Sequence, residues 1–484
     1  MDYINHTENR YRIVYGSYEG IQKQAVNRLY GIVAGYVPYV LVASQAGDVN
    51  IEKSDDNIIL VGTLENNEHI SRLSRQGHIE AEINKEGYSI KVLDNPWNAH
   101  RTLMVLQGAD SSGVLYSVYD FNRWYIQHKL QYEGYHYNKR YSPFTDKSLQ
   151  FARKSAPKIE YRGLWSWGHV IYDYKGYIDN MSRCKLNCLV LWNDFVPINA
   201  QEIVEYAHMN GVRIIWGFTW CWGERDINPK SKKDLHKWTD YVLKTYETQY
   251  RGLDADGIYF QIFTETNDMT LDGEIIAELA ANWVNEISSA VYKKYPDLWI
   301  QFGLHATSVK ENFEKFSSID PRMSIVWEDA GGFPYYYDPK NSDSFQKTYD
   351  YTKQLLSVRG ENERFGAVFK GFTVLNWTLF EHQKGAYILG ERESAFLHAH
   401  KLEKEFYWRY GAPYWLGQSN ELAALIKLIA ESPVKDRLIT ALVEDGLWEC
   451  DTHISMALLA ELLWDPWVDI DEIVKILCHS GYKI

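Results

Sequence analysis

A regular alternation of short apolar runs and helical stretches between residues 161 and 372 constrains the fold of this chain more than any other feature. Buried parallel strands have near-continuous apolar sequences, and the helices that connect them have longer amphipathic ones. The runs of strand length are Tyr161–Trp167, Cys188–Trp192, Arg213–Trp220, Gly257–Thr264, Trp299–Leu304, Met323–Trp327 and Phe365–Phe372. So many βα units within about 230 residues favour a (β/α)8 TIM barrel over an open sheet.

The sequence on either side of this alternation differs in character. Residues 1–140 combine short strands bounded by Gly and Asn with helical stretches, which is typical of a small α/β domain. A segment rich in Ser, Pro, Lys and Arg joins them to the first barrel strand, and helical periodicity takes over from Glu391 onwards. We therefore predict an α/β protein with an N-terminal α/β domain over residues 1–140, a TIM-barrel catalytic domain over 158–390 and a helical C-terminal region over 391–484.

The composition favours a sugar ligand. Among 484 residues, 18 are Trp and 36 are Tyr. These side chains combine a flat apolar face with a polar tip, which suits the C–H faces and hydroxyl edges of sugar rings. A bulky core is the alternative explanation for the aromatic residues. The net charge of −13 argues against nucleic acid or an anionic membrane surface as a partner, because both need a basic surface on the protein.

Several kinds of site and location lack support in the sequence. The motifs HExxH and CxxC are absent, so we expect no metal and no cofactor. No run of about 18 apolar residues exists, so we expect no membrane span. The first residues lack the pattern of a signal peptide, and the five Cys residues suit reduced thiols. We therefore expect a cytoplasmic protein, and a homodimer stays open as its assembly.

Aromatic, amide and imidazole side chains cluster where the predicted strands end. In a TIM barrel, the carboxyl ends of the strands surround one mouth that holds the active site. Indoles and amides with little positive charge suit a carbohydrate better than a phosphate group. The expected substrate-binding residues at these strand ends are Trp165, Trp167, Asn193, Trp220, Asn267, His305 and Trp377. For His305, a structural histidine held by hydrogen bonds is an equal alternative.

Carboxylates follow the fourth and sixth predicted strands. Glu265 comes directly after Gly257–Thr264, and Glu328 and Asp329 come directly after Met323–Trp327. Cleavage of a glycosidic bond needs one carboxylic acid to protonate the leaving oxygen and a second carboxylate as nucleophile or base. We predict that Glu265 is the acid and that Glu328 or Asp329 is its partner. The alternative is that these groups are loop residues in solvent, since acidic turns before Gly are common.

Two segments resemble a known group of enzymes. The run Tyr161–Leu164, followed by Ile178–Trp192, resembles the first two barrel units of family 20 hexosaminidases and their relatives. Residues 108–121 resemble the noncatalytic α/β domain that precedes the barrel in glycosidases of families 20, 67, 84 and 115. The resemblance implies a TIM-barrel glycoside hydrolase and gives Arg162 the role of binding the terminal sugar. From its strand position alone, a salt bridge in the barrel floor is an equal alternative for Arg162.

The residue before Glu265 distinguishes these families. Family 20 has an Asp-Glu pair after strand four and family 84 has two adjacent Asp residues, whereas this chain has Thr264 before Glu265. Family 67 α-glucuronidases resemble it more closely, with a lone Glu after strand four and an Asp after strand six, where this chain has Asp329. The resemblance implies an exo-acting glycoside hydrolase that cleaves a terminal sugar from small oligosaccharides by carboxylate general acid catalysis, similar to the α-glucuronidases of families 67 and 115. A β-N-acetylhexosaminidase-like enzyme and a non-catalytic carbohydrate-binding protein on the same scaffold are the alternatives.

Overall fold

The computed structural model describes residues 10–37, 41–133, 149–224, 226–266, 268–305, 308–328, 342–369, 384–443, 448–450, 453–480 and 482. The chain divides into two compact units. The N-terminal unit lies within Met1–Pro157, His208–Gly211 and Asp471–Tyr482, and the barrel unit within Lys158–Ala207 and Val212–Ile470. No helix within the described ranges is both long and apolar enough to cross a membrane.

The N-terminal unit is built on a six-stranded sheet with the strand order β2-β1-β3-β5-β4-β6. Its strands are β1 (Tyr11–Tyr15), β2 (Leu41–Gln45), β3 (Asn57–Gly62), β4 (Tyr88–Asp94), β5 (Thr102–Gly108) and β6 (Phe151–Ser155). Its first helices are α1 (Gly20–Ala34), α2 (Glu68–Arg75) and α3 (Ser111–Asp120). Strands β2, β1, β3 and β5 run parallel, and β4 is antiparallel to both of its neighbours.

The turn that opens α3 explains the Gly and Asp residues at 108–113. The carboxylate of Asp110 accepts hydrogen bonds from the backbone N of Gly113 at 2.9 Å and of Glu86 at 2.8 Å, so it caps the helix and holds a neighbouring loop. A Cβ atom at Gly108 or Gly113 would collide with backbone atoms of this turn or of Gly87. The segment is therefore a tightly packed helix entry that requires Gly.

The barrel unit contains a closed barrel of eight strands in the order β10-β13-β14-β15-β16-β7-β8-β9. Its strands are β7 (Tyr161–Trp167), β8 (Cys188–Trp192), β9 (Arg213–Gly217), β10 (Gly257–Gln261), β13 (Trp299–Leu304), β14 (Ser324–Trp327), β15 (Arg364–Phe369) and β16 (Lys435–Leu442). A short hairpin of β11 (Thr270–Leu271) and β12 (Glu274–Ile275) follows β10. The remaining helices of the described chain are α4 (Tyr174–Arg183), α5 (Ala200–Met209), α6 (Lys232–Thr245), α7 (Ile276–Lys294), α8 (Ser342–Ser357), α9 (Ser394–Gly417), α10 (Ser419–Ala430), α11 (Ile454–Trp464) and α12 (Ile470–His479). All eight pairings in the barrel are parallel, so the predicted α/β class with a (β/α)8 TIM barrel is confirmed.

The structure corrects two predicted boundaries. The eighth barrel strand is β16, which pairs with β15 and β7 and lies well beyond the predicted limit at residue 390. Its first residues, Lys435–Arg437, are charged, and helices precede and follow it, so its short apolar part did not stand out from the helical periodicity. The predicted linker contains β6, which pairs with β4 and extends the N-terminal sheet beyond residue 140.

Aromatic side chains fill the interior of the barrel. Trp165 and Trp167 of β7, Trp192 of β8 and Tyr259 of β10 are buried in one apolar cluster. The rings of Trp165 and Trp167 meet edge to face with centroids 4.6 Å apart, and the centroid of Tyr259 lies 5.9 Å from that of Trp165. Edge-to-face pairs of this kind each contribute about 0.5–1.5 kcal/mol beyond their area burial. The interior is therefore a packed floor, so a ligand of the barrel must bind above it at the strand ends.

Aromatic stacking joins α12 to the π-helical segment Phe121–Glu133 within the N-terminal unit. The rings of Tyr132 and His479 stack with centroids 3.5 Å apart. The His128 ring lies 6.4 Å from the His479 ring and stacks on Tyr132 at 5.7 Å. Two imidazoles therefore lie close together where the last helix of the chain packs.

This packing predicts that acid destabilises the N-terminal unit. Burial lowers the pKa of His128; Glu133 opposes the shift, and His479 and Lys475 reinforce it. Because the folded state favours the neutral ring, the stability that His128 contributes is complete above about pH 6.5 and is lost as the pH falls through that ordinary value towards the lowered pKa. We expect the unfolding midpoint, measured by differential scanning fluorimetry, to depend less on pH below this value in His128→Gln than in the native chain. The exposed His100→Gln is the matched control, and equal pH slopes for both variants would contradict the prediction.

Candidate active site

Glu265 lies in the loop that follows β10, at the carboxyl end of the barrel. Its side chain is half exposed, with 50% of its surface accessible. The Oε2 atom of Glu265 accepts a hydrogen bond of 2.8 Å from Trp222 Nε1, and Oε1 has no hydrogen-bond partner among the described residues. The preceding Thr264 is fully buried, and its carbonyl accepts a hydrogen bond from the Ser308 hydroxyl, which holds the loop in place. One carboxylate oxygen is therefore held while the other is available to a ligand.

Glu328 follows β14 directly and is buried beside the barrel floor. Its Oε1 atom accepts hydrogen bonds from the Tyr259 hydroxyl and from Gln261 Nε2. Tyr259 and Gln261 are alternate residues of β10, so their side chains point to the same face of the strand. A Cβ atom at Gly303 would collide with both the Tyr259 hydroxyl and Glu328 Oε1, so only glycine permits this close approach.

His305 connects the two carboxylates. Its Nε2 atom lies 3.0 Å from Glu328 Oε2 and 3.8 Å from Glu265 Oε2. His305 follows β13, which lies between β10 and β14 in the barrel, so three adjacent strands deliver the three groups. The result is a line from a buried carboxylate through an imidazole to a half-exposed carboxylate.

Trp222, in the loop that follows β9, contacts Glu265 directly. Its indole packs edge to face on Trp192 with centroids 5.8 Å apart, which places it over the barrel floor. The residues on either side, Cys221 with φ 71° and Gly223 with φ 79°, both adopt left-handed backbone conformations. This local turn directs the Trp222 indole towards Glu265.

The other predicted tryptophans occupy different places. Trp220 is fully buried and stacks on Phe260 with centroids 3.6 Å apart. Phe260 lies between two residues of β10 that face the interior, so it faces outward, and Trp220 packs outside the barrel. Trp165 and Trp167 belong to the interior floor. The prediction that Trp220 lines the mouth is therefore wrong.

Asn193 lies at the end of β8, but contacts within the protein occupy its amide. Its Oδ1 atom accepts a hydrogen bond from the Tyr387 hydroxyl, and its Nδ2 donates to the carbonyl of Leu191 at 3.3 Å. Burial raises the pKa of Tyr387, which keeps the phenol protonated as the donor. The predicted residues Asp329, Asn267 and Trp377 lie outside the described residues.

Arg162 lies at the amino end of its strand, away from the mouth, so its predicted contact with a sugar is wrong. It is fully buried. Its guanidinium donates hydrogen bonds to the carbonyls of Ile159 at 2.7 Å, Glu160 at 3.1 Å and Lys185 at 3.0 Å. Since Trp165 faces the interior, strand alternation directs Arg162 to the outer face of β7.

A buried cluster of charged and aromatic groups surrounds this arginine. The Trp464 ring of α11 lies 5.1 Å from Arg162 Cζ and 5.0 Å from Lys185 Nζ. Lys185 Nζ also pairs with Glu461 at 2.8 Å, and both side chains are buried. Residues at this end of a TIM barrel serve stability, so Arg162 has a structural role.

No metal site is evident in the described part of the molecule, and the thiol beside the candidate site is buried. No three His, Cys, Asp or Glu side chains come together there as ligands. Cys221, next to Trp222, is buried, and burial raises the pKa of its thiol. Burial likewise raises the pKa of Cys188 to about 12. Neutral thiols are weak nucleophiles and metal ligands, which leaves the carboxylates and the imidazole as the reactive groups.

Solved structures of glycosidases share this architecture. A β-N-acetylhexosaminidase from Bacteroides fragilis superposes with a TM-score of 0.52 at 13% identity, covering 98% of this chain and 92% of its own. CpGH84D matches with a TM-score of 0.52 at 10% identity, covering 96% and 68%, and CpGH84B with 0.51 at 10%, covering 97% and 70%. This chain shares their fold. No protein-family model and no curated protein sequence matches it.

The placement of Arg162 predicts a loss of stability without a loss of substrate affinity. Arg162→Met removes a guanidinium from three backbone carbonyls and from the Trp464 ring. Breaking a buried charged cluster in this way costs about 3–5 kcal/mol. Urea denaturation should show this loss, with the exposed Arg183→Met as the matched control. If Arg162→Met leaves the free energy of unfolding unchanged but raises KM, Arg162 binds the substrate after all.

Proposed function

We propose that this protein is an exo-acting glycoside hydrolase in which Glu265 protonates the leaving glycosidic oxygen. The observation that supports the proposal best is the line of Glu328, His305 and Glu265 at the carboxyl end of the barrel. Active sites of TIM-barrel enzymes lie at this end, and the shared fold with glycosidases agrees with such an activity.

Glu265 and its neighbour Trp222 have distinct parts in the proposed reaction. Trp222 and His305 meet Glu265 on its Oε2 side, so Oε1 carries the proton towards the substrate. Transfer of that proton to the glycosidic oxygen accompanies cleavage of its bond to the anomeric carbon. The indole of Trp222 offers an apolar face beside the acid for the C–H face of a sugar ring.

The buried position of Glu328 bears on the choice of the second carboxylate. Its oxygens contact Tyr259, Gln261 and His305, and its side chain is 4% exposed. An anomeric carbon cannot reach a carboxylate enclosed in this way. We therefore propose that Glu328 positions His305, and Asp329 stays the predicted nucleophile or base.

The geometry bears on the two candidate substrate classes. An α-glucuronidase-like enzyme needs a cation for the uronate carboxylate, and Arg162, the residue expected to bind it, is buried at the other end of the barrel. A β-N-acetylhexosaminidase-like enzyme is the second candidate, because a hexosaminidase shares the fold. The carboxylate that would steer an acetamido group is replaced by Thr264, which is fully buried. Turnover of nitrophenyl N-acetylglucosaminide and of glucuronate-capped xylo-oligosaccharides distinguishes the two.

A cytoplasmic location and small oligosaccharide substrates belong to the same proposal. An exo-acting site suits short chains, since it accepts only a terminal sugar. Cell fractionation of the source organism and product analysis with short and long oligosaccharides check these two points.

The central test is Glu265→Gln. Glutamine keeps the shape of the side chain but cannot donate a proton to the leaving oxygen, so turnover should fall by roughly 10²–10⁴-fold. The loss should be smallest on nitrophenyl glycosides, whose leaving group barely needs protonation. The exposed Glu224→Gln in the preceding loop is the matched control. Near-normal turnover of an unactivated oligosaccharide by Glu265→Gln would contradict the role of Glu265 as the acid. If the native chain binds oligosaccharides but does not cleave them, a carbohydrate-binding protein is favoured.

A second test concerns the indole N–H that holds Glu265. Trp222→Phe keeps an aromatic ring but removes the donor, and a hydrogen bond to a charged group contributes about 1.5–3 kcal/mol. We expect kcat to fall by roughly tenfold or more, with a smaller change in KM because the ring remains. Trp238→Phe on α6 serves as the control. If KM rises and kcat stays unchanged, Trp222 acts only as a platform for the sugar.

A further inference from the structure

The N-terminal unit has a crevice where the order of its parallel strands reverses. Strand β1 lies between β2 and β3. Tyr15 pairs with Gln45 on one side and with Val61 on the other, so the three strands end at the same level. In open α/β sheets, ligands bind beyond the carboxyl ends of the strands at such a switch point.

A cavity of about 330 Å³ lies at these strand ends. Its polar lining includes Gln45, Glu65, Glu68, Ser71 and Arg75. Within the described part of the chain, none of these five side chains takes part in a hydrogen bond or an ion pair. Their donors and acceptors are therefore available to a ligand.

The wall formed by α2 is fixed before any ligand binds. Asn67 is fully buried, and its Oδ1 atom accepts hydrogen bonds from the backbone N of His69 and of Ile70. Its Nδ2 donates to the carbonyls of Val14 at 3.1 Å and Val61 at 3.2 Å. One side chain thus caps α2 and ties it to the ends of β1 and β3, and a pre-ordered site loses less entropy when it binds.

The side chains of α2 define the shape of a fitting ligand. Glu68, Ser71 and Arg75 have the spacing i, i+3 and i+7, which places them along one face of the helix. Seven residues advance an α-helix by about 10.5 Å. The Cα atoms of Glu68 and Arg75 are therefore separated by much more than the two charges of one α-amino acid, which favours a longer ligand. The two negative charges of Glu65 and Glu68 exceed the single positive charge of Arg75. This net negative charge disfavours phosphates as ligands.

Hydroxyl groups satisfy all of these side chains at once, because they donate to carboxylates and accept from guanidinium and amide groups. Leu64 and Ala46 add apolar surface to the lining. The volume lies at the lower end of small-molecule pockets, roughly 300–1,000 Å³. We propose that this cavity is a second carbohydrate site that binds a neutral disaccharide along α2. The site does not depend on the activity proposed for the barrel.

Isothermal titration of the full chain tests the proposal. The Glu265→Gln background removes the proposed acid, and the probes are cellobiose, maltose and lactose, with glucose 6-phosphate and glycine for comparison. Glu68→Gln and Arg75→Ala should each raise the Kd of the bound disaccharide about tenfold, because each removes a charge-assisted hydrogen bond. Glu82→Gln and Lys85→Ala, exposed positions outside the cavity, are the matched controls and should leave Kd unchanged.

The remaining outcomes overturn the proposal. Disaccharide binding that is equally strong in the cavity variants places the sugar elsewhere in the chain. The absence of binding for all three disaccharides removes the carbohydrate site. Tighter binding of glucose 6-phosphate or glycine assigns the cavity to another class of ligand. Since every measurement compares binding between cavity variants and controls and none records turnover, failure here is distinguishable from failure of the proposed hydrolase activity.

Discussion

The barrel depends on the aromatic packing that fills its interior. Trp165, Trp167, Trp192 and Tyr259 come from three strands, and the centroids of their contacting rings lie between 4.6 and 6.5 Å apart. Burying such large side chains removes much apolar surface from water and fixes how β7, β8 and β10 lie around the axis. The other strands join these three through the parallel pairing that closes the barrel.

Tyr259 connects this core to the candidate site. Its ring packs edge-on against Trp165, and its hydroxyl donates to the buried Glu328. A buried carboxylate is costly unless it is hydrogen-bonded, and Gln261 and His305 supply its other contacts. The position of the imidazole therefore follows from the packing of the floor. A change in that packing would reach the half-exposed Glu265 through three successive contacts, by way of Glu328 and His305.

The opposite end of the barrel uses charged groups for another purpose. Arg162 Cζ and Lys185 Nζ lie 5.1 and 5.0 Å from the centroid of the Trp464 ring, and Glu461 pairs with Lys185. Such a cluster is stable only when complete, since removing one member leaves the others buried without partners. The structure thus has a buried charged cluster at the amino-terminal end of the barrel and an accessible acid at the carboxyl-terminal end. The ion pair of Lys185 and Glu461 therefore stabilises one end of the barrel, and at the other end His305 lies between the two carboxylates of the candidate site.

Local sequence was enough to predict seven of the barrel strands and the position of Glu265, because apolar periodicity reflects the geometry of a single element. It did not predict β16, whose short apolar part stands among helices and is recognisable as a strand only once β15 and β7 pair with it. The face that Arg162 occupies follows from its alternation with Trp165, but which face is the interior depends on closure of the barrel. Likewise, the indole that contacts Glu265 belongs to Trp222, which a left-handed turn directs there, whereas Trp220 packs outside the barrel. Periodicity is a property of consecutive residues, whereas the direction of a side chain and its partners depend on contacts between residues far apart in the chain.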